Sequence, residues 1–317
     1  YQRTAALKTA IELELFTAIG EGERTAEAIA LRTQASVRGT RIICDALTVL
    51  GFLHKHGEEY ELTQDSAVFL DRRSPQYLGG AVGFLGSEYA VGRFNDLTEA
   101  VRRGGAATDE EFDPDHPMWV NFARSMAPMM MGPAQLLARL IHAEAGHKWK
   151  VLDIAAGHGM YGITVARQNP NAEIHAVDWG SVLKAAKENA ERFNVAGQWH
   201  AVPGSAFEVE LGNGYDLALV TNFLHHFDPD TNEALLRRIY DALGAGGRVV
   251  ILEFVPNADR ITPPPAAMFP LIMLTGTPHG DAYTYPQLEQ MCRNAGFAAV
   301  EGHDLPPTFF RAVIAQK

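Results

Sequence analysis

The sequence is short of cysteine: Cys44 and Cys292 are the only two in 317 residues. They stand far apart in helix-like surroundings, so neither a disulfide framework nor a cysteine-ligated zinc site is expected, and a reducing, cytoplasmic setting suits the chain. No run of about 18 apolar residues occurs, and no secretory leader pattern is visible, so no membrane span is expected. Positive charge is also scarce. Lys and Arg number 27 against 38 Asp and Glu, a net charge of -11, which disfavours a protein built to grip nucleic-acid phosphates. Internal repeats and low-complexity tracts are missing too. What remains is ordinary globular composition, long enough for two domains of roughly 100–200 residues each.

Residues 4 to 19 carry apolar side chains at helical spacing (Ala5, Leu7, Ile11, Leu15, Phe16, Ile19), and Gly20 and Gly22 are expected to stop that helix. Thr25 and Ser36 stand as N-caps of two further helices. Phe52-Leu53-His54 and Tyr60-Glu61-Leu62 then alternate around a polar turn, as in a small hairpin. The order is that of a winged helix. Residues 74 to about 143 look mostly helical, punctuated by Pro117, Pro128 and Pro133, with a methionine cluster at Met126, Met129, Met130 and Met131. From Lys148 strand and helix alternate. Val151–Ile154, Ile174–Val177, Leu217–Val220 and Arg248–Leu252 are the strands, the last after a turn at Gly244-Ala245-Gly246-Gly247. Such alternation predicts an α/β domain with a mostly parallel sheet that binds ligands at the C-terminal strand ends.

The chemistry gathers there. In Asp153-Ile154-Ala155-Ala156-Gly157-His158-Gly159 a strand enters a turn of small residues that lets a ligand approach the backbone. A tight strand–helix turn would have the same look. Asp178, about 20 residues on at the end of the next strand, stands where a carboxylate accepts ribose hydroxyls, or where it would cap a helix. Trp179 could pack on an adenine edge or in the core. No third glycine follows at dinucleotide spacing, and the first strand carries an acid. Both favour a nucleoside with a positively charged tail over NAD.

From Val151 onward the sequence resembles the small-molecule O-methyltransferases of the caffeate and acetylserotonin type, with their bacterial relatives. Members of that family also carry an N-terminal winged-helix dimerisation domain, so the resemblance covers nearly the whole chain. It implies a Rossmann-like, class I α/β methyltransferase domain behind an all-α winged-helix dimerisation domain. The expected division is 1–100 for dimerisation, 101–147 for a helical linker lining the acceptor pocket, and 148–317 for catalysis. S-adenosylmethionine is the implied cofactor, held by Asp153, Ala155, Gly157, Gly159, Asp178, Trp179, Gly204, Ser205, Ala206, Phe207 and Thr221. Ser205 replaces the family's adenine-contacting acid. His225, in Asn222-Phe223-Leu224-His225-His226-Phe227, takes the place of the family's base, and Glu253 that of the acid orienting it. His226 replaces an Asp. The family's second acid falls on Ala282, beside Asp281. The implied acceptor walls are Phe122, Met126, Met130, Asn222, His226, Phe269 and Met273.

The resemblance implies O-methylation of a small, aromatic or conjugated hydroxyl compound by a homodimer, with no nucleic-acid or membrane partner. A C- or N-methyltransferase and a non-catalytic cofactor-binding scaffold are alternatives on the same fold. So is a winged-helix regulator, although residues 1 to 70 hold seven basic against ten acidic residues. No resident metal is expected. His225, His226, His279 and Asp281 are the set that would supply one.

Overall fold

The computed structural model describes residues 1–107, 113 and 116–317. The expected helical linker of residues 101–147 therefore lies partly outside the described residues. Two compact units divide the chain, Tyr1–Val91 and Gly92–Lys317.

The first unit begins with α1 (Gln2–Glu12), α2 (Leu15–Glu21), α3 (Ala26–Thr33) and α4 (Val37–Val49). The hairpin β1 (Leu53–His56) and β2 (Glu59–Leu62) follows, then α5 (Gln64–Phe69) and α6 (Val82–Leu85), with α7 (Glu88–Gly92) at the division. Thr25 Oγ1 accepts the amide of Ala28 at 3.3 Å and Ser36 Oγ that of Gly39 at 3.1 Å, so both expected caps form. The first predicted helix is in fact two, because Glu14 turns left-handed (φ 57°) between them. Gly20 does not stop a helix. It lies inside α2, where a Cβ would fall 2.2 Å from Asp71 Oδ2, so it is a site of close approach. The core joins Leu15, Phe16, Ile29, Cys44, Leu47, Leu53 and Tyr60.

The second unit runs α8 (Leu97–Arg103), α9 (Met118–Leu140), β3 (Lys150–Ile154), α10 (Met160–Gln168), β4 (Glu173–Asp178) and α11 (Gly180–Arg192). It continues β5 (Trp199–Pro203), β6 (Tyr215–Thr221), α12 (Pro229–Ala242), β7 (Leu243–Glu253), α13 (Pro264–Met268) and α14 (Pro270–Gly276). α15 (Tyr285–Asn294), β8 (Val300–Asp304) and β9 (Arg311–Gln316) complete it. Seven strands lie in the order β5-β4-β3-β6-β7-β9-β8 among the described residues. β5 through β7 are parallel, while β9 runs antiparallel to both β7 and β8. The chain travels outward from β3 to β5, then returns to the other side at β6. The strand order thus reverses between β3 and β6, the place where such sheets form a ligand crevice.

Two further expectations change. Pro128 and Pro133 do not interrupt the chain: α9 passes through both. Each proline removes one N–H, but Met126, Met130, Ala134 and Leu137 bury one face of the helix and hold it together. Gly244–Gly247 is part of β7, where the pairing with β6 shifts register between Tyr215 and Leu217. A Cβ on Gly247 would lie 2.8 Å from the carbonyl oxygen of Tyr215, so the glycines let the strand kink against its neighbour. Among the described residues, no helix is long and apolar enough to cross a membrane.

Candidate active site

Ala155 and Asn222 are left-handed non-glycine residues, with φ of 51° and 53°. They directly follow β3 and β6, whose ends pair in register (Ile154 with Val220). Strained backbone of this kind concentrates at functional sites, and here it marks both walls of the crevice. Gly157 (φ 56°) continues the first wall. A Cβ there would meet nothing nearer than the Ala155 carbonyl oxygen at 3.8 Å, so the loop is open above it. Gly159 (φ 75°) is closed in, with Ala186 and Ile163 each 3.1 Å from a Cβ, and this pins the loop against α11 and α10.

Asp178 holds the loop from the side. Its Oδ2 accepts the Gly157 amide at 2.8 Å and its Oδ1 the Trp179 amide at 2.7 Å. Each oxygen keeps a lone pair for a further donor. Burial pushes this carboxyl up to about 6 despite those two amides. Asp153, 1% exposed, receives the Gly162 amide on Oδ2 at 3.2 Å, while its buried Oδ1 has no partner among the described residues. Burial raises it to about 7. An orphaned acid beneath an open glycine loop fits a ligand with a cationic tail, and Asp178 fits a ribose diol. The Gly204 amide donates to the Asp178 carbonyl at 3.0 Å, which brings the next turn alongside. There Ser205 Oγ is engaged by the Phe207 amide at 3.2 Å, Ala206 is buried, and Phe207 packs on Phe227 at 4.9 Å. Trp179 packs with Trp119 against Ala123, Val182 and Ala185, so it lies in a small core cluster. Thr221 is buried at the end of β6.

Beyond the second wall stands a histidine–carboxylate pair. His225 Nδ1 lies 2.6 Å from Glu253 Oε2, with the residues 5% and 3% exposed. Glu253 ends β7, and its Oε1 accepts the amides of Phe223 and Leu224, both at 2.8 Å. An ionised carboxylate only accepts hydrogen bonds. Nδ1 therefore carries the imidazole proton, and Nε2 keeps its lone pair. Gly280 presses on this segment: a Cβ there would meet the His225 carbonyl oxygen at 2.3 Å.

Aromatic rings enclose the pair. Phe269 meets His225 edge-on at 4.8 Å and stacks on Phe254 at 3.7 Å, and Met273 is buried one turn further along α14. His226 packs on Trp119 at 5.8 Å. Burial, with His225 and Arg93 nearby, holds its imidazole well below the ordinary range. From α9, Phe122 stacks near His158 at 6.5 Å, while Met126 and Met130 are buried. Asn222 Nδ2 donates to Tyr161 Oη at 3.2 Å, and Tyr161 Oη donates to Met130 Sδ at 3.5 Å. The Asp178-braced glycine loop and the His225–Glu253 pair thus follow neighbouring strands, β3 and β6–β7, with Phe122, Met130, Asn222 and Phe269 in contact with residues of one or the other, while Trp179 packs in a core cluster instead.

Asp281, beside the position of the family's second acid, is engaged elsewhere through both oxygens, its Oδ1 accepting the Ala282 amide at 2.8 Å. Its Oδ2 pairs with Arg260 Nη1 at 3.0 Å, and Ala282 is fully buried. Among the described residues, no group of three or more His, Cys, Asp or Glu side chains is placed to hold a metal ion. Sequence reasoning missed Tyr161, His158 and Trp119 as parts of the crevice. His158 was visible as a bulky residue between two glycines. Nothing in the spacing marked the other two.

Known proteins resemble the chain in both of its units. An O-methyltransferase dimerisation-domain family matches residues 1–72 and an O-methyltransferase-domain family matches residues 139–298. A curated relative, the 3-hydroxy-5-methyl-1-naphthoate 3-O-methyltransferase of Streptomyces sahachiroi, is 31% identical over 302 residues, covering 94% of this chain and 87% of that protein. Among solved structures, a Nostoc punctiforme protein proposed to be an O-methyltransferase is 52% identical, with TM-score 0.95 over 100% of this chain and 96% of that one. Human N-acetylserotonin methyltransferase, solved in complex with SAM, shares the fold at TM-score 0.85 and 22% identity, over 100% of this chain and 94% of that one.

Proposed function

The chain belongs to the O-methyltransferase family, and we propose that it transfers a methyl group from S-adenosylmethionine to the hydroxyl of a small aromatic metabolite, with His225 as general base. When bound, the cofactor supplies an electrophilic methyl group on a positively charged sulfur. The chain's own residues then have three tasks. Asp178 accepts the ribose hydroxyls, with the Gly157–Gly159 loop beneath. Phe122, Met126, Met130, Asn222, His226, Phe269 and Met273 hold a flat acceptor, as adaptable methionines and aromatic rings suit. His225 Nε2 takes the hydroxyl proton as negative charge develops on oxygen, and Glu253 fixes the tautomer and stabilises the imidazolium.

The single observation that carries this reading is the 2.6 Å contact from His225 Nδ1 to a Glu253 already braced by two amides. A hydroxynaphthoate acceptor is the first to try, because the Streptomyces relative is named for one. The chain acts as a homodimer in a cytoplasmic, reducing setting. In support, the first unit matches a dimerisation family and leaves Leu31 and Val49 exposed, and Cys44 and Cys292 are buried free thiols. The reading is tested by assaying methyl transfer to a hydroxynaphthoate panel with wild type and His225→Ala. O-methyl product from wild type, and its near-complete loss in the variant, is the expected result. A C-methylated product, or a variant of undiminished rate, would contradict it.

A further inference from the structure

The glycine loop spends its amides inward. Of the seven backbone N–H groups from Ala156 to Gly162, five have partners within the protein. Ala156 donates to the Val177 carbonyl, Gly157 to Asp178, Gly159 to the Ala156 carbonyl, Met160 to His158 Nδ1, and Gly162 to Asp153. Nearby side chains also direct donors at one another: Tyr161 at Met130, one N–H of Asn222 at Tyr161, His225 at Glu253. Asp153 and Asp178 make the floor acidic. That suits a sulfonium and an ammonium, but it repels the carboxylate that the cofactor's amino-acid end also carries.

On the loop itself one side chain still has a donor to give. His158 Nδ1 accepts the Met160 amide at 3.1 Å, which places the ring proton on Nε2. Nε2 makes no hydrogen bond among the described residues. The ring is held above the loop, stacked toward Phe122 and 5.9 Å from Tyr161. We propose that His158 is a cofactor-binding residue whose Nε2–H donates to the carboxylate of the methionine end of S-adenosylmethionine. The proposal rests on the cofactor reading above. Burial holds the imidazole at about 4, so the ring is neutral at physiological pH. A neutral donor binds the carboxylate without setting a second positive charge beside the sulfonium.

The test is calorimetry on the full chain with two ligands: S-adenosylhomocysteine, and S-adenosyl-3-thiopropylamine, which lacks only the carboxylate. His158→Asn keeps an oxygen able to take the Met160 amide but loses the reach of Nε2–H, and His158→Gln returns an N–H further out. The expected result is that His158→Asn binds S-adenosylhomocysteine roughly tenfold to a hundredfold more weakly, as for a lost hydrogen bond to a charged group. Binding of the amine should be unchanged, and His158→Gln should recover part of the loss. Equal weakening of both ligands would make His158 a structural cap only, and would overturn the proposal. So would unchanged cofactor affinity with a raised acceptor KM, which would assign Nε2–H to the acceptor. Failure of the wild type to bind either ligand would overturn the cofactor reading itself.

Discussion

The surface charges of the first unit and the buried charges beside the glycine loop and His225 in the second are held in opposite ways. In the first, charges meet partners near the surface. Asp45 takes Lys55 Nζ at 2.6 Å, Tyr60 Oη at 2.7 Å and Arg41 Nη1 at 2.9 Å, while Glu21 pairs with Arg32 and Asp71 with Arg73. Hydrogen bonds from those partners lower the acids and raise the bases. In the second, burial raises Asp153 and Asp178 and lowers His158 and His226. One pattern supports a fold. The other costs stability, and buried groups with such shifts are the kind from which ligand sites are built. Substitutions in the two units should therefore separate activity from stability.

The largest effect is expected at the histidine–carboxylate pair. His225→Ala should lower kcat by about 10²–10⁴, the usual worth of a positioned base, and leave S-adenosylhomocysteine affinity unchanged. Glu253→Gln should come close to it for a different reason. The amides of Phe223 and Leu224 would claim the new carbonyl oxygen and turn the NH₂ toward His225 Nδ1. That forces the ring proton onto Nε2, the wrong tautomer for a base. A kcat within about twofold of wild type in Glu253→Gln would remove that account of the pair.

Next comes Asp153, where the sign runs against the ordinary expectation for an acid. Its folded carboxyl titrates near 7, above the unfolded value of 3.8, so folding takes up a proton between the two. The stability it contributes is complete below the unfolded value and is lost as pH rises through about 7. Asp153→Asn should thus raise the Tm of the ligand-free protein by several degrees at about pH 8 and by much less at about pH 4. It should also weaken S-adenosylhomocysteine. A lower Tm at the higher pH would show that the acid is structural.

The smallest effect belongs to the first unit. Asp45→Asn removes an acid whose titration is lowered, so the stability it supplies is present above the unfolded value and lost as pH falls through the folded one. Near neutral pH a Tm loss within about 3 °C is expected, as for part-exposed ion pairs, with kcat and cofactor affinity untouched. A change in kcat would break the division between the units.

Much of this was legible in the sequence because it is written locally. β3, β4, β6 and β7 are runs of mostly buried apolar residues, and Thr25 and Ser36 announce their helices from the position just before each. The strands that went unread, β5, β8 and β9, lie in the outer part of the sheet, and β5 and β8 alternate or expose their residues, so hydrophobicity does not mark them. The unbroken α9 was hidden because local rules count the proline's missing N–H but not the packing that offsets it. At the site, Asp178 was placed by spacing, whereas His225 and Glu253 are 28 residues apart and were paired only through the family resemblance. Asp281 was a candidate by adjacency alone. The fold gives it to Arg260, 21 residues away. Side-chain direction is likewise absent from a motif, so His158 could be read as part of a glycine loop but not as a donor above it.

The central claim is that Asp153 and Asp178, buried beside the glycine loop, hold S-adenosylmethionine. It is tested most directly by titrating S-adenosylhomocysteine into wild type and Asp178→Asn across about pH 5 to 8. Ribose hydroxyls donate to the ionised carboxylate, and Asp178 titrates near 6. Wild-type affinity should therefore level off only above about 7, where Asp153 is ionised as well, and weaken by at least roughly tenfold per unit below about 6, while the variant binds weakly with a shallower slope. Wild-type affinity independent of pH over the whole range, or a variant that binds as tightly as wild type, would contradict the account.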